Sequence, residues 1–244
     1  DVCELVTSTG LKIDLKSTVI GISLFEDISS LTVSGTIVIA DSVNMVSHGP
    51  ILGQEYLYLK IRTPSFTDKS AVIDYSKNVF LIHSVAAREP LTNGTQVFSL
   101  NFVSQELIKN QRLKVQQSLT ASWSDIVKKM LTDPSYLNTK KDVIIEPSAG
   151  VKKFVAPNIR PFDIVKLATK QGVSTFKNQS TYLFYETLRG FNFRTLASLY
   201  NLPEQLEYTT FVPGTNVDKK TGGVDVLKDL STILSYEIIS NNDS

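Results

Sequence analysis

Nucleophilic or acid–base catalysis by an imidazole needs a hydroxyl, thiol or carboxylate beside it, and the 244-residue chain offers two histidines, His48 and His83. His48 precedes Gly49-Pro50 in a turn-forming stretch, and His83 alternates with Leu81 and Val85 as a strand residue does. Such isolated histidines ordinarily serve as hydrogen-bonded polar residues. Cys3 is the single cysteine, so the chain cannot close an internal disulfide or build a Cys-based zinc site. A pair of carboxylates able to hydrolyse a glycoside is not legible from chain spacing, and the acidic residues read as solvated surface. Thr221-Gly222-Gly223 is too short to cradle a phosphate, and neither a G-x-x-x-x-G-K-[ST] loop nor a G-x-G-x-x-G turn occurs. Asn93-Gly94-Thr95 and Asn178-Gln179-Ser180 fit the glycosylation pattern but read as bare turns without a secretion signal. The expectation is a non-enzyme with no catalytic residue, cofactor or metal.

What remains is contact chemistry. Tyr56, Tyr58, Lys60 and Arg62 alternate along Gln54–Arg62 on one face, with Glu55, Leu57, Leu59 and Ile61 on the other, so the first four are candidate interface residues. Tyr182 is a further aromatic expected to be half-exposed. Lys128-Lys129, Lys140-Lys141 and Lys152-Lys153 read as a solvated face, or else as an electrostatic contact with an acidic protein partner.

The elements that must position these groups are strands first. Ser17–Phe25 and Leu31–Ala40 are β-branched and apolar, with Leu31, Val33, Gly35, Ile37 and Ile39 sharing one face. Gln54–Arg62 follows, then Val79–Arg88 and Thr95–Phe102 as a hairpin across Glu89–Gly94. Short connections between five or six strands point to a β-barrel or a strongly bent sandwich. The period then changes: helices are expected over Ser104–Asn110, over Ser122–Leu131 with Ser122 as N-cap and Asp125 completing a capping-box-like start, and over Pro161–Lys170 with Gly172 as the stop. Thr181–Thr187 and Gly190–Leu196 read as a hairpin. Asn201–Gly223 is rich in turn formers, Val224–Leu234 reads as a helix and Ser235–Ile239 as a strand.

The fold class is therefore mainly β with α+β: a β-barrel over 1–110, a small α+β domain over 111–200, and over 201–244 a linker, a helix and the first strand of a further β domain. The 25 basic residues nearly cancel the 24 acidic ones, which argues against a generally basic nucleic-acid binder. By segment the charge is −3 over 1–110, +6 over 111–172 and −2 over 173–244. With 42% hydrophobic residues the chain reads as globular and soluble; no apolar run is long enough to span a bilayer, and Asp1 in place of Met suggests a processed or trimmed product.

Val155-Ala156-Pro157-Asn158-Ile159-Arg160-Pro161-Phe162-Asp163 resembles the P-N-x-x-P-F helix start of the baseplate central hub proteins of contractile-tailed (T-even-like) bacteriophages, which are related to the hub part of type VI secretion spike proteins. Tyr182-Leu183-Phe184-Tyr185-Glu186-Thr187 with Gly190-Phe191-Asn192-Phe193-Arg194-Thr195-Leu196 is similar to the family's F-x-F-Y-E-T … G-[FY]-N-F-R-S-L hairpin. The resemblance implies structural roles for Pro157, Asn158, Pro161, Phe162, Phe184, Tyr185, Glu186, Phe191 and Phe193, and a barrel of the tail-tube type. It further implies a virion protein of the tail baseplate, a homotrimer joining tail tube protein to central spike protein, contacting baseplate wedge proteins and lining part of the channel through which genomic DNA passes. Hub chains of that family carry two tube-type barrels, whereas this sequence shows one and the start of what would frame a second after Asn201. Either the chain stops short of the second barrel, or the ring has another stoichiometry. Two other classes stand beside this one: the hub segment of a type VI or other contractile injection spike, and a tail-associated cell-wall hydrolase.

Overall fold

Alternation of apolar and small polar residues at period two makes Ser34–Asp41 (β4) a half-buried strand, with Gly35, Ile37 and Ile39 turned inward. In the computed structural model, which describes residues 2–7, 9–42, 45, 51, 53–62, 72–76, 78–90, 94–203, 209–210 and 232–233, this strand lies near one end of an eight-stranded sheet. Its members are β1 (Val2–Val6), β2 (Lys12–Asp14), β3 (Val19–Phe25), β4, β5 (Tyr56–Arg62), β6 (Val72–Asp74), β7 (Phe80–Pro90) and β8 (Gln96–Ser104). The order is β2-β1-β5-β7-β8-β4-β3, with β6 also on β5, and every pairing is antiparallel.

The two ends of that order, β2 and β3, are consecutive in sequence. A turn joins them in which the Leu15 carbonyl accepts from Thr18 and Val19 while the Leu15 N–H donates to Cys3. The sheet is thus curled back on itself as a half-barrel. Its concave side holds Leu5, Leu57, Leu59, Phe98 and a chain of tilted rings, Tyr75–Phe80–Phe102, with centroids 4.8 Å apart at each step. The expected hairpin of β7 and β8 forms, but Glu89 and Pro90 extend β7 through a bulge to Val97 and Gln96 instead of lying in the connection.

The helices follow the expected starts. These are α1 (Gln105–Arg112), α2 (Trp123–Thr132), α3 (Pro161–Gln171) and a single turn, α4 (Leu196–Tyr200). Ser122 caps α2 by accepting from the Asp125 N–H at 3.2 Å, and its hydroxyl donates to the Asp125 carboxylate at 2.6 Å. An aspartate is too short to reach back to the backbone of the cap, so it binds the capping hydroxyl instead. Gly172 stops α3 at φ −70°, outside the left-handed region; a Cβ there would lie 2.8 Å from the Ala168 carbonyl oxygen and 3.0 Å from the Tyr182 ring, so close approach fixes this glycine.

Against α2 and α3 packs a three-stranded sheet, β10-β13-β12, in which β12 (Tyr182–Thr187) and β13 (Gly190–Thr195) are the expected hairpin and β10 (Asp142–Ile145) adds parallel to β13. A two-stranded ribbon joins β9 (Ser118–Ala121) to β11 (Lys152–Val155). This second core gathers Trp123, Ile126, Met130, Phe162, Val165, Phe184, Phe191 and Phe193. Residues Asp1–Tyr200 form one compact unit containing both cores, and Asn201–Ser244 form another. In the latter, Thr209–Thr210 (β14) pairs parallel to Thr232–Ile233 (β15). The helix expected over Val224–Leu234 is corrected at Thr232–Ile233, which are strand because they find a partner strand; the rest of that helix and the strand expected over Ser235–Ile239 lie outside the described residues.

Candidate assembly surface and the joint behind it

Strands β3, β4, β8 and β7 run as a four-stranded sheet whose convex face carries a central row of small uncharged side chains, with Phe25 on β3 and Glu89 on β7 toward its margins. Across it, Ser23 pairs with Thr36, Thr36 with Asn101 and Asn101 with Ser84. Thr36 donates to the Asn101 amide oxygen at 2.8 Å, and the Asn101 amide nitrogen donates to the Ser84 hydroxyl at 3.0 Å. A polar ladder of this kind fixes the strand register without introducing a charge.

Both lateral edges of this sheet are open among the described residues. β3 pairs with β4 on one side only. On the other flank β5 pairs with β7 only at Leu81 and Phe80, leaving residues 84–90 with β8 alone. The β3 edge is apolar where most edges are blunted with charge, with Ile20 63% and Phe25 57% exposed, whereas residues 84–90 carry exposed Val85 together with exposed Arg88, Glu89 and Pro90.

The four candidate interface residues on β5 alternate outward as expected. Tyr56 and Arg62 are exposed while Leu57 and Leu59 are fully buried. Tyr58 and Lys60 are half-buried, and Lys60 pairs with Asp74 at 2.8 Å. That ammonium, with Ser76 behind it, holds the Asp74 carboxyl well below the usual range. Tyr56 borders a cleft of about 330 Å³ with Lys109 and Arg112 of α1 on its other wall. Tyr182, expected half-exposed, is buried: its ring stacks on Phe193 at 4.3 Å and its hydroxyl donates to the Pro147 carbonyl at 2.9 Å.

The hairpin motif proves to be the joint between the two cores. Glu186 Oε2 accepts the Val33 N–H at 2.9 Å and the Ser104 hydroxyl at 2.6 Å, both from the curled sheet. Its Oε1 accepts Lys141 Nζ at 2.5 Å, and the same ammonium reaches Glu106 Oε2 at 2.7 Å. Thr139 donates to Glu106 Oε1 at 2.7 Å. Burial pushes the Glu186 carboxyl up and outweighs the Lys141 ammonium and the Ser104 hydroxyl, with the charge of Glu106 adding a smaller push in the same direction. At the hairpin tip the Leu188 N–H donates to Glu26 and its carbonyl accepts from Asn78, and Glu26 also accepts the Tyr75 hydroxyl. Lys141 therefore departs from the solvated face expected for the lysine pairs: its side chain is 1% exposed, held by the two glutamates, while Lys140 beside it is exposed.

The other motif residues support that joint. Pro161 opens α3 and Phe162 packs on Phe184 and Phe191, while the Phe162 N–H donates to the Asn110 side chain at 2.8 Å. Asn158 holds φ +60°, which lets the chain turn into the helix; Pro157 is exposed. Phe184 stacks on Phe191 at 5.5 Å, whereas Tyr185 on the opposite face is half-buried. Gly190 closes the two-residue turn at φ +122° with its α-carbon against β10, where a Cβ would stand 2.1 Å from the Asp142 carbonyl oxygen. No signal in the sequence marked Glu106 and Lys141 as partners of Glu186, since they lie 80 and 45 residues from it and meet only in three dimensions.

Of the histidines, His83 is exposed on β7, and His48 lies outside the described residues. Among the described residues no group of three His, Cys, Asp or Glu side chains could hold a metal ion, and no helix is long and apolar enough to cross a membrane.

No family model and no curated protein matches the chain. Solved structures do. The 43 kDa tail protein of prophage MuSo2 from Shewanella oneidensis matches with TM-score 0.47 and 13% identity over 89% of this chain and 59% of that one. A tail protein from Neisseria meningitidis MC58 matches with TM-score 0.47 and 12% identity over 90% and 56%. An E. coli component of the type VI secretion system, described as structurally similar to T4 bacteriophage tail proteins gp27 and gp5, matches with TM-score 0.47 and 11% identity over 81% and 50%. The chain thus spans between half and three fifths of the length of these proteins.

Proposed function

We propose that the chain is a structural subunit of a phage-tail baseplate hub, in which copies close a ring around a channel and join the tail tube to the central spike. The observation that carries this reading is the four-stranded sheet with two lateral edges open among the described residues, the β3 edge apolar and the β7 edge partly charged. The β3 edge of one copy can continue the sheet along residues 84–90 of the next, a head-to-tail contact that closes into a ring when the rotation per copy matches the copy number. Residues 1–110 are then the ring-forming element and 111–200 a buttress clamped to it through Glu186. Residues 201–244 lead into a further domain.

The uncharged row across the convex face suits a channel for DNA. Binding of a polyanion grows with the number of cations that neutralise phosphates, and the Ser23–Thr36–Asn101–Ser84 row supplies none. Tyr56, Tyr58, Lys60 and Arg62 lie on β5, away from both open edges, and serve in this reading as contacts to a neighbouring tail protein. The ring is a trimer, following the family resemblance of the hairpin.

The test is a Ser23→Cys/Ser84→Cys variant oxidised at high concentration. Cys3 stays silent because it is buried and burial, with Asp14 beside it, pushes its thiol up to about 11. Covalent oligomers ending at one closed size, with native mass giving the same number, are expected. Material that remains monomeric, in company with an Ile20→Lys/Phe25→Lys variant that behaves identically to wild type, refutes edge-to-edge closure.

A further inference from the structure

The inner edge of the motif hairpin holds a second opening, separate from the ring-forming edges. In a hairpin closed by the two residues Leu188 and Arg189, the flanking pair Thr187 and Gly190 must be hydrogen-bonded to each other, so hydrogen-bonded pairs alternate back along the register. The N–H and C=O groups of Leu183 and Tyr185 therefore point to β13, and those of Tyr182 and Phe184 point away from it. β12 is the edge of its sheet, and no described residue supplies a partner to the main chain of Tyr182 or Phe184 on that side. The Glu186 side chain, not its backbone, makes the contact to Val33 that closes the slot at its far end.

Those free groups open on a groove of about 500 Å³. Its opposite wall is the connection from β3 to β4, with Ile28 and Leu31, together with Leu107 of α1. The α3 side is marked by Lys166, which is exposed, makes no ion pair among the described residues, and is the one charged side chain lining the groove. We propose that this groove is a docking slot for an extended acidic segment of a partner protein, which adds to β12 as a fourth strand. Main-chain bonds at Tyr182 and Phe184 supply the register, since two residues of strand separate them by about 7 Å. A residue of the added strand opposite either of them points to the α3 side, because paired residues share a face, and an Asp or Glu there meets Lys166. Leu31 and Leu107, half-buried on the opposite wall, offer apolar surface to the added strand.

The experiment follows amide exchange and peptide binding on the full chain. In the free protein the Tyr182 and Phe184 amides should exchange at least about a hundredfold faster than those of Leu183 and Tyr185. The probe is a fluorescent acetyl-Thr-Val-Asp-Val-Thr-amide peptide, read by anisotropy and by protection of those two amides. The same peptide N-methylated at alternate residues should lose binding, and Lys166→Glu should weaken the acidic peptide about fivefold while favouring a Lys-centred version. Equal protection of all four amides in the free protein, no added protection at millimolar peptide, or equal binding of the N-methylated form overturns the proposal. Protection that rises with protein concentration alone assigns the slot to a second copy and overturns the partner-strand assignment. None of these readouts depends on ring closure.

Discussion

Replacing Lys141 by Met removes a cation and keeps the length of the side chain, so the variant isolates the electrostatics of the joint. The ammonium is 1% exposed and sits 2.7 Å from Glu106 and 2.5 Å from Glu186. At an effective dielectric near 20, each contact contributes on the order of 5 kcal/mol of Coulomb attraction, most of which is offset by the cost of dehydrating the lysine and of holding two carboxylates together. The larger effect of the substitution is what it leaves behind: two buried carboxylates without a cation. The expected loss is about 3–5 kcal/mol at pH 7 by urea unfolding. It should shrink on acidification, as the Glu186 carboxyl, which burial already pushes up, takes a proton that it can donate to its neighbour. Lys140→Met, one residue away and exposed, is the control and should stay within about 0.5 kcal/mol of wild type. A Lys141→Met loss below about 1 kcal/mol, or a larger one that does not change with pH, would show that the joint is not held by this cation.

Because burial raises the folded-state value of Glu186 above its unfolded one, the stability linked to its protonation is present in acid and is lost as pH rises through the raised value. A Glu186→Gln variant, which cannot ionise, should gain on wild type as pH is taken from about 4 to 7; drift in the other direction would mean that Lys141, Ser104 and Val33 outweigh burial. Trp123→Ala should cost about 3–5 kcal/mol, since the indole is 2% exposed in the second core, and an unchanged melting temperature would remove it from that core. Phe184→Ala should cost about 3–5 kcal/mol and Tyr185→Ala clearly less, their chemical denaturation midpoints telling the two faces of β12 apart. Gly190→Ala should destabilise by at least about 2 kcal/mol, because the added carbon meets the Asp142 carbonyl and the backbone is left-handed there; a variant as stable as wild type would show that β10 can move aside.

Alternation settles much of the architecture without any tertiary contact. The outward face of β5, the inward face of β4 and the split of the hairpin into Tyr182, Phe184 and Glu186 against Leu183, Tyr185 and Thr187 all follow from a period of two, which is local and survives in the fold. Helix starts were equally legible at Ser122 and Pro161, where capping depends on three or four adjacent residues. Short strands were not. β2, β6, β9, β10 and β11 have three or four residues each, too few for a period to register, and they exist because a neighbouring strand offers hydrogen bonds.

The candidate surface divides in the same way. Tyr56, Tyr58, Lys60 and Arg62 could be placed on one face from their spacing, and the aromatic residues of the hairpin could be named from their motif. Which strands remain unpaired could not, because an edge is defined by the absence of a partner that the rest of the chain would have had to supply. The fate of the charged residues was decided in the same way. Lys140 and Lys141 are indistinguishable by sequence neighbourhood, yet one is solvated and the other lies between Glu106 and Glu186. Sequence determines each residue's own preference and the rhythm of its neighbours; only the packed chain brings carboxylates from α1 and β12 to the same ammonium, since the distance that governs their interaction is measured through space.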